Sequence, residues 1–427
     1  MLGQRRARYH NKLLLLIMEI VIIVVSDDTV LFGTNLNSRF LTAKYIIIIS
    51  MFCFILIKIF LDRIYISIKS LWIALAMVLL LMMSSVINND IRFGYIYRCV
   101  LIMTALLFTT VINFHDFAYY YDKIMKVLAI ASLVGFALSV SSHILLDLFP
   151  MIQNSANMEF YNLFITVVPK HTGGFARNYG IFREPGVFQM FLIIGLLFQM
   201  FVLIKPNIKV QILYIVALVT TFSTTGYIAL IFLSILYLIK KNRSKGEKHS
   251  KAIVIICLSL IFIYLSLFTD FIFKEEYGSV FGKFANTNNS TSFVARLASV
   301  VVNLRLFLNS PIWGVGVTNV DTQFALLAQS ILGIYTIHNT NTVLWQLAAY
   351  GAIFTSLWIY GVYKLCWVMG GKKIEVLLLF IIFNVLFVGE NLAYSLITNI
   401  LVFYGLSAKT KKVIQEPLNP KYRKRCK

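Results

Sequence analysis

The residues that could do chemistry in this chain gather in three stretches. The first is HTGGFARNYGIFREPGVFQM, residues 171–190, which brings His171, Arg177, Arg183 and Glu184 to the start of an apolar run. Charges in such a place are costly unless they are used. Pro185 suits the first position of a helix, because its missing N–H would have been unpaired there anyway, so Arg183 and Glu184 fall at the helix mouth. With free N–H groups, the positive dipole end and two arginines beside it, that mouth favours an anion. In the second stretch Thr291 and Ser292 can cap a helix predicted over 293–308 and stopped by Pro311. Ser292, Arg296, Ser299 and Asn303 then line one face. Arg305 is nine residues beyond Arg296, about half a turn round at ~100° per residue, so on a straight helix the two cannot serve one site. A surface-lying helix with a wet stripe is the plainer reading of the same pattern. The third stretch is IYTIHNTNTVLWQLAAYG, where Asn339 or Thr340 can cap a helix and His338 stands just before its N-terminus. The positive dipole end disfavours imidazolium there, and a neutral imidazole is what a general base requires. A histidine so placed is more often a satisfied polar residue.

These stretches need a scaffold, and the composition says which kind. The 427 residues are 59% hydrophobic and only 13% charged. With a mean hydropathy of +0.80, the chain is too apolar for soluble domains and fits an all-α polytopic membrane protein. About twelve apolar runs approach the length needed to cross a ~30 Å hydrocarbon core. They lie at roughly 13–30, 41–57, 70–87, 95–112, 124–146, 185–204, 208–222, 226–240, 252–269, 343–363, 374–389 and 392–408.

The net charge of +21 could suggest nucleic acid. The distribution of the basic residues says otherwise. Both ends are basic, GQRRARYHNK and KTKKVIQEPLNPKYRKRCK, which predicts cytoplasmic termini and an even number of crossings. On a twelve-span topology the inner segments carry 28 Lys and Arg and the outer ones 11, which accounts for all 39. The charge is a topology signal. SDDTVLFGTN after the first run offers no small-residue cleavage site, so that run reads as an uncleaved anchor.

One transmembrane domain over 1–427 is therefore expected, with a basic cytoplasmic tail at 409–427 and two large outer loops at 147–184 and 270–342. These loops, apolar enough to pack as short amphipathic helices, would cap the site. Cys53, Cys99, Cys257, Cys366 and Cys426 fall in spans, at a helix end or in the tail, which predicts no disulfide and no thiolate metal site. No phosphate-cradling or dinucleotide-binding glycine pattern occurs. Smaller signals are the turns TTFSTTG, Thr220 to Gly226, and GEN, Gly389 to Asn391. They read as simple polar turns, although Glu390 could reach a shared cavity. Glu19 lies inside the first run and needs a partner. His10, His115, His143 and His249 fall in inner segments or near a span end.

Together, FARNYGIFREPGVF, the TFSTTG turn, the run RLASVVVNLRLFLNSPIWGVG from Arg296 and the His338–Asn339 pair resemble the superfamily of O-antigen and capsule polymerases (Wzy-like) and O-antigen ligases, over about residues 170–400. The resemblance implies a membrane glycosyltransferase of the bacterial cytoplasmic membrane. It would act at the outer face on an undecaprenyl-pyrophosphate-linked donor and a lipid-linked acceptor, without cofactor or metal, alongside a flippase and a chain-length regulator. The ligase-type motif keeps a glycine nearer the His-Asn pair, whereas here the first is Gly351. An arginine, ten residues and a glycine, a pattern of some polymerases, occurs from Arg305 to Gly316. Polymerase is thus favoured over ligase.

On this reading Arg177, Arg183 and Arg296 hold the pyrophosphate, with Arg305, Asn339 and Glu390 as further substrate contacts. His338 takes the acceptor proton, and Glu184 orients an arginine or the acceptor sugar. The rival from another class is a transporter, such as a lipid-linked oligosaccharide flippase. It would be expected to keep charges near mid-span and to show matching halves, and the sequence shows neither. A non-catalytic assembly or sensing subunit is a third reading.

Overall fold

The computed structural model describes residues 12–141, 143–170, 176–241 and 291–407. Eleven of the twelve apolar runs are helices there, and the ninth, 252–269, lies outside the described residues. They are α1 (Lys12–Val24), α2 (Ser38–Leu61), α3 (Ile68–Ile87), α4 (Phe93–Val111), α5 (Phe114–Ser141), α7 (Pro185–Phe201), α8 (Ile208–Val219), α9 (Thr224–Lys241), α12 (Thr342–Gly370), α13 (Lys373–Gly389) and α14 (Leu396–Ser407). The remaining helices are α6 (His143–Leu146), α10 (Thr291–Asn309), α11 (Val317–Leu332) and one short π-helical turn, Val30–Thr34. Five of the described helices, α2, α3, α4, α5 and α12, are long and apolar enough to cross a membrane. At 1.5 Å per residue the twelve residues of α8 or α14 span only ~18 Å.

Sequence and burial agree on the centre. α7 is apolar all round, as PGVFQMFLIIGLLFQMF reads, and every residue from Pro185 to Gln199 is buried. α14 is buried from Leu396 to Leu406 and packs on α12 and α4. α12 also carries α13, α10 and α3. About a third of the way along it, Gly351 has φ +80°, and a Cβ there would overlap the Ile312 carbonyl. The break frees the Ala348 and Ala349 carbonyls, which accept the N–H groups of Val315 (2.8 Å) and Gly316 (3.2 Å), while Ala352 N–H donates to Pro311 (2.8 Å). The SPIWGVG turn is thus stitched into the broken helix.

The first large loop differs from expectation. Instead of amphipathic helices, residues 151–169 form an antiparallel meander, β1 (Met151–Gln153), β2 (Glu159–Asn162) and β3 (Val167–Pro169). Asn157 and Phe164 take positive φ in its two turns, and the β-favouring pairs Phe160–Tyr161 and Val167–Val168 sit in the second and third strands. The loop after α1 pairs with its end: Val30 N–H donates to Ile181 and Arg183 N–H to Asp28.

The same contacts show that the loops at 25–35, 88–92, 178–184, 220–224, 338–341 and 390–395 gather at one end of the bundle. Ser395 Oγ donates to Asp28 (2.5 Å), Arg183 to the Asn391 carbonyl (2.7 Å), and Thr318 N–H to Asp90 (2.8 Å).

Candidate functional site

At that end the three arginines singled out by the sequence are each held by neutral acceptors. Arg177 donates through Nε to the Thr221 carbonyl (3.1 Å) and through Nη2 to that of Phe222 (3.2 Å), in the hydroxyl-rich turn before α9. Arg183 donates through Nη2 to the Asn391 carbonyl, and its Nε has no partner. Arg296, on α10, donates through Nη1 to Thr224 Oγ1 at 3.0 Å. Among the described residues none of the three forms a salt bridge. All three remain half-buried, with donors to spare.

Two acids lie close to these arginines. Glu390 is buried in the turn between α13 and α14, and its side chain lies over the first turn of α7, where a Cβ on Gly186 would overlap the carboxyl. Glu184, the exposed N-cap residue of α7, lies within electrostatic reach of that carboxyl. Burial, and then the negative charge of Glu184, push the Glu390 pKa well above the usual carboxylate range, against the pull of Arg183 and Arg296. Burial works against the Arg183 charge too, but Glu184, Glu390 and Asp28 outweigh it and raise its pKa.

A second helix mouth meets the same turn. Thr342, the first residue of α12, donates through Oγ1 to the Glu390 carbonyl (2.5 Å) and accepts from Leu392 N–H (2.9 Å). The cap of α12 is Asn341, which accepts from Leu344 N–H, and not Asn339 or Thr340. Asn339 instead forms a reciprocal amide pair with Asn303 (2.8 and 2.9 Å), and Thr340 N–H donates to Ser299 Oγ (2.9 Å). The polar stripe of α10 is therefore real and faces inward. Arg296 meets Thr224, and one and two turns later Ser299 and Asn303 hold the strand that carries His338. The His338 ring is exposed. Arg305 is exposed on the other face of α10, away from the cluster. His171 lies outside the described residues.

Two contributors escaped the sequence reading. Asp28, from SDDTVLFGTN, is buried beside Arg183, and burial pushes its pKa up to about 6 against the pull of Arg183 and the Ser395 hydrogen bond. The adjacent DD was the available signal. Gln189, in α7, is buried against Gly226 with neither side-chain polar atom partnered. Among the described residues no group of His, Cys, Asp and Glu is arranged to hold a metal ion.

Beyond the cluster, helix interiors hold more charge than expected. Arg98 on α4, Lys44 on α2, Asp122 on α5 and Glu19 on α1 are all buried. Lys44 pairs with Asp27, and Asp122 accepts from Gln199 and Tyr214. Both carboxyl oxygens of Glu19 lack a hydrogen-bond partner.

Residues 210–359, 150 of the 427, match the family described as O-antigen ligase. The matched part holds the TFSTTG turn, Arg296 and His338. Arg177, Arg183, Glu184 and Glu390 lie outside it. No curated protein and no solved structure matches the chain.

Proposed function

We propose that this helical membrane protein, similar over 210–359 to the O-antigen ligase family, transfers a glycan from an undecaprenyl-diphosphate carrier to a lipid-linked repeat-unit acceptor, as a polysaccharide polymerase. The observation that carries this reading is the set of three guanidiniums gathered at one end of the bundle with neutral partners only. A diphosphate leaving an anomeric carbon needs fixed positive charge, and guanidinium forks supply it through charge-assisted, bidentate hydrogen bonds. Arg177, Arg183 and Arg296 take that role. His338 takes the proton of the acceptor hydroxyl. Its strand is tied to α10 one turn beyond Arg296, and its exposed ring is open to an acceptor. Glu184 orients the arginines or the acceptor sugar, and the Asn339–Asn303 pair fixes the strand. Arg305 has no part.

Twelve crossings with both termini in the cytoplasm would place this end at the outer face of a bacterial cytoplasmic membrane, with loops 147–184 and 270–342 as its cap and 409–427 as a basic inner tail. The skew of Lys and Arg supports that orientation. A flippase would deliver the lipid-linked units, and a chain-length regulator would act on the product.

The test is in vitro, with purified protein and a lipid-diphosphate oligosaccharide, read on a gel. A ladder is the expected result. A single transfer to another acceptor means a ligase, the reading that the matched family's description favours, and movement across vesicles without reaction means a flippase. His338→Ala should insert normally and lose roughly 10²–10⁴-fold in rate. A wild-type rate would make that histidine structural.

A further inference from the structure

We infer that the N-terminal turn of α9 seats one phosphoryl group of the donor diphosphate, and that Gln189, on α7, is a binding residue for it. This deepens the proposed function and rests on it.

The only polar side chains of α7 are two glutamines, and the protein treats them differently. Gln199 is bonded at both ends of its amide: Nε2 donates to Asp122 (2.7 Å), and Oε1 accepts from Asn207 N–H (2.8 Å). Gln189 is fully buried, and neither its Nε2 nor its Oε1 has a partner. Burying an unpaired amide costs free energy that an apolar side chain of the same volume does not, so this position calls for a partner from outside the chain.

The surroundings say which partner. The Gln189 amide lies against the first turn of α9, where a Cβ on Gly226 would stand 2.9 Å from its Oε1 and 3.3 Å from its Cδ. In that turn the N–H groups of Thr224, Thr225 and Gly226 bond to no acceptor among the described residues. Such a mouth favours an anion. Two of the three arginines are tied to the same turn, Arg177 on the carbonyls of Thr221 and Phe222 and Arg296 on the Thr224 hydroxyl. Both keep further donors free for a ligand. The α7 mouth is less open to an anion, because the Glu390 side chain lies over Gly186 and Glu184 is the N-cap. Both acids are within electrostatic reach of Arg183 and Arg296, but the segment from Thr220 to Tyr227 carries no acid of its own. A phosphoryl oxygen at the α9 mouth accepts from the free N–H groups, from Gln189 Nε2 and from the spare guanidinium donors.

The experiment is isothermal titration of the full chain, in a neutral detergent, with a citronellyl-diphosphate sugar. Gln189→Leu should melt at the same or a higher temperature and bind roughly 10–100-fold more weakly, the range for one lost hydrogen bond to a charged group. In Gly226→Ala the methyl must push the amide aside. That variant should also bind more weakly, and combined with Gln189→Leu it should add nothing. Dihexanoyl phosphatidylglycerol, a phosphodiester lipid, should treat the wild type and Gln189→Leu alike. Unchanged binding of the diphosphate sugar in Gln189→Leu overturns the inference, as does an equal loss with phosphatidylglycerol, which would assign the turn to membrane headgroups. Both results leave the proposed function standing. If Gln189→Leu does not fold, unchanged binding in Gly226→Ala is the overturning result. No binding of the diphosphate sugar by the wild type overturns the inference and the proposed function together.

Discussion

Arg98 and Arg183 are both arginines near the same end of the bundle without a carboxylate bonded to them, yet the protein treats them in opposite ways. Arg98 rises from α4, is fully buried, and donates one hydrogen bond, from Nη2 to Gln346 at 2.7 Å. Its guanidinium is closed in by the rings of Tyr394, Tyr350 and Phe354 at 5.5, 5.6 and 5.7 Å. Aromatic faces stabilise such a cation but leave its Nε and Nη1 unsatisfied. Arg183 sits on a loop, is half-buried, and has acids within electrostatic reach. A cation closed in by rings and cut off from solvent can only brace its surroundings. One that is presented by a loop at a helix mouth can exchange its partners for a ligand.

The largest expected effect follows from that contrast. Arg183→Ala and Arg296→Ala should each reduce glycan transfer by roughly 10²–10³-fold with the fold intact, the scale seen when a fixed donor to a developing anion is removed. Lysine keeps the charge and loses the fork, so it should restore only part of the rate. Full activity in both alanine variants would mean that the guanidiniums merely reach lipid headgroups.

Gly186→Ala comes next. The added methyl must displace the Glu390 carboxyl or tilt the mouth of α7. A shift of about 1 Å in a binding group can cost on the order of 10²-fold in rate. Transfer should therefore fall while thermal stability changes little. An unchanged rate would remove Glu390 from the site.

Arg98→Met probes the other side of the comparison. Arg98→Met removes two unsatisfied donors but leaves the buried Gln346 Oε1 without its donor, and an unsatisfied buried acceptor costs about 1–3 kcal/mol. The two effects oppose each other, so the melting temperature should change little and transfer should stay within a few-fold of wild type. A loss as large as that of Arg183→Ala would show that Arg98 belongs to the transfer machinery.

Much of this arrangement was legible because local chemistry fixed it. Pro185 after two charged residues marked the α7 mouth, and the four-three-four spacing of Ser292, Arg296, Ser299 and Asn303 marked the inward face of α10. The half-turn offset of Arg305 was legible too, although Arg305 was still expected to touch the substrate; its side chain is exposed on the other face of α10. What could not be read depends on contacts far apart in sequence. The Ser395–Asp28 hydrogen bond joins residues 367 apart. Lys44 and Arg98 drew no notice inside their apolar runs, because nothing local announces that Asp27 will pair with one and three rings enclose the other. The meander at 151–169 was missed because an apolar loop fits a short helix or strand equally well until its turns are known. α11 was missed for a related reason: its N-terminus is capped by Asp90, from another loop, with no cap of its own.

The smallest expected effect is at Asp28, where stability and activity should move in opposite directions. Its carboxyl is buried, and its pKa is raised from 3.8 to about 6, mainly by burial. An acid whose folded pKa is raised stabilises the fold fully below its unfolded value, and that contribution is lost as pH climbs through about 6. At neutral pH Asp28 is thus ionised at a net cost on the order of 3 kcal/mol, with the attraction of Arg183 already counted in it. Asp28→Asn keeps an oxygen to accept from Ser395 and removes the charge. At neutral pH the variant should melt at the same or a higher temperature. Its transfer rate should be a few-fold lower, because Arg183 loses one of the groups that orient it. The wild type should lose activity as pH falls below about 6, when Asp28 takes up its proton, and the variant should lack that step. A variant with the wild-type acid limb would assign the titration to another group, and one that melts lower at neutral pH would show that the ionised carboxyl braces the fold.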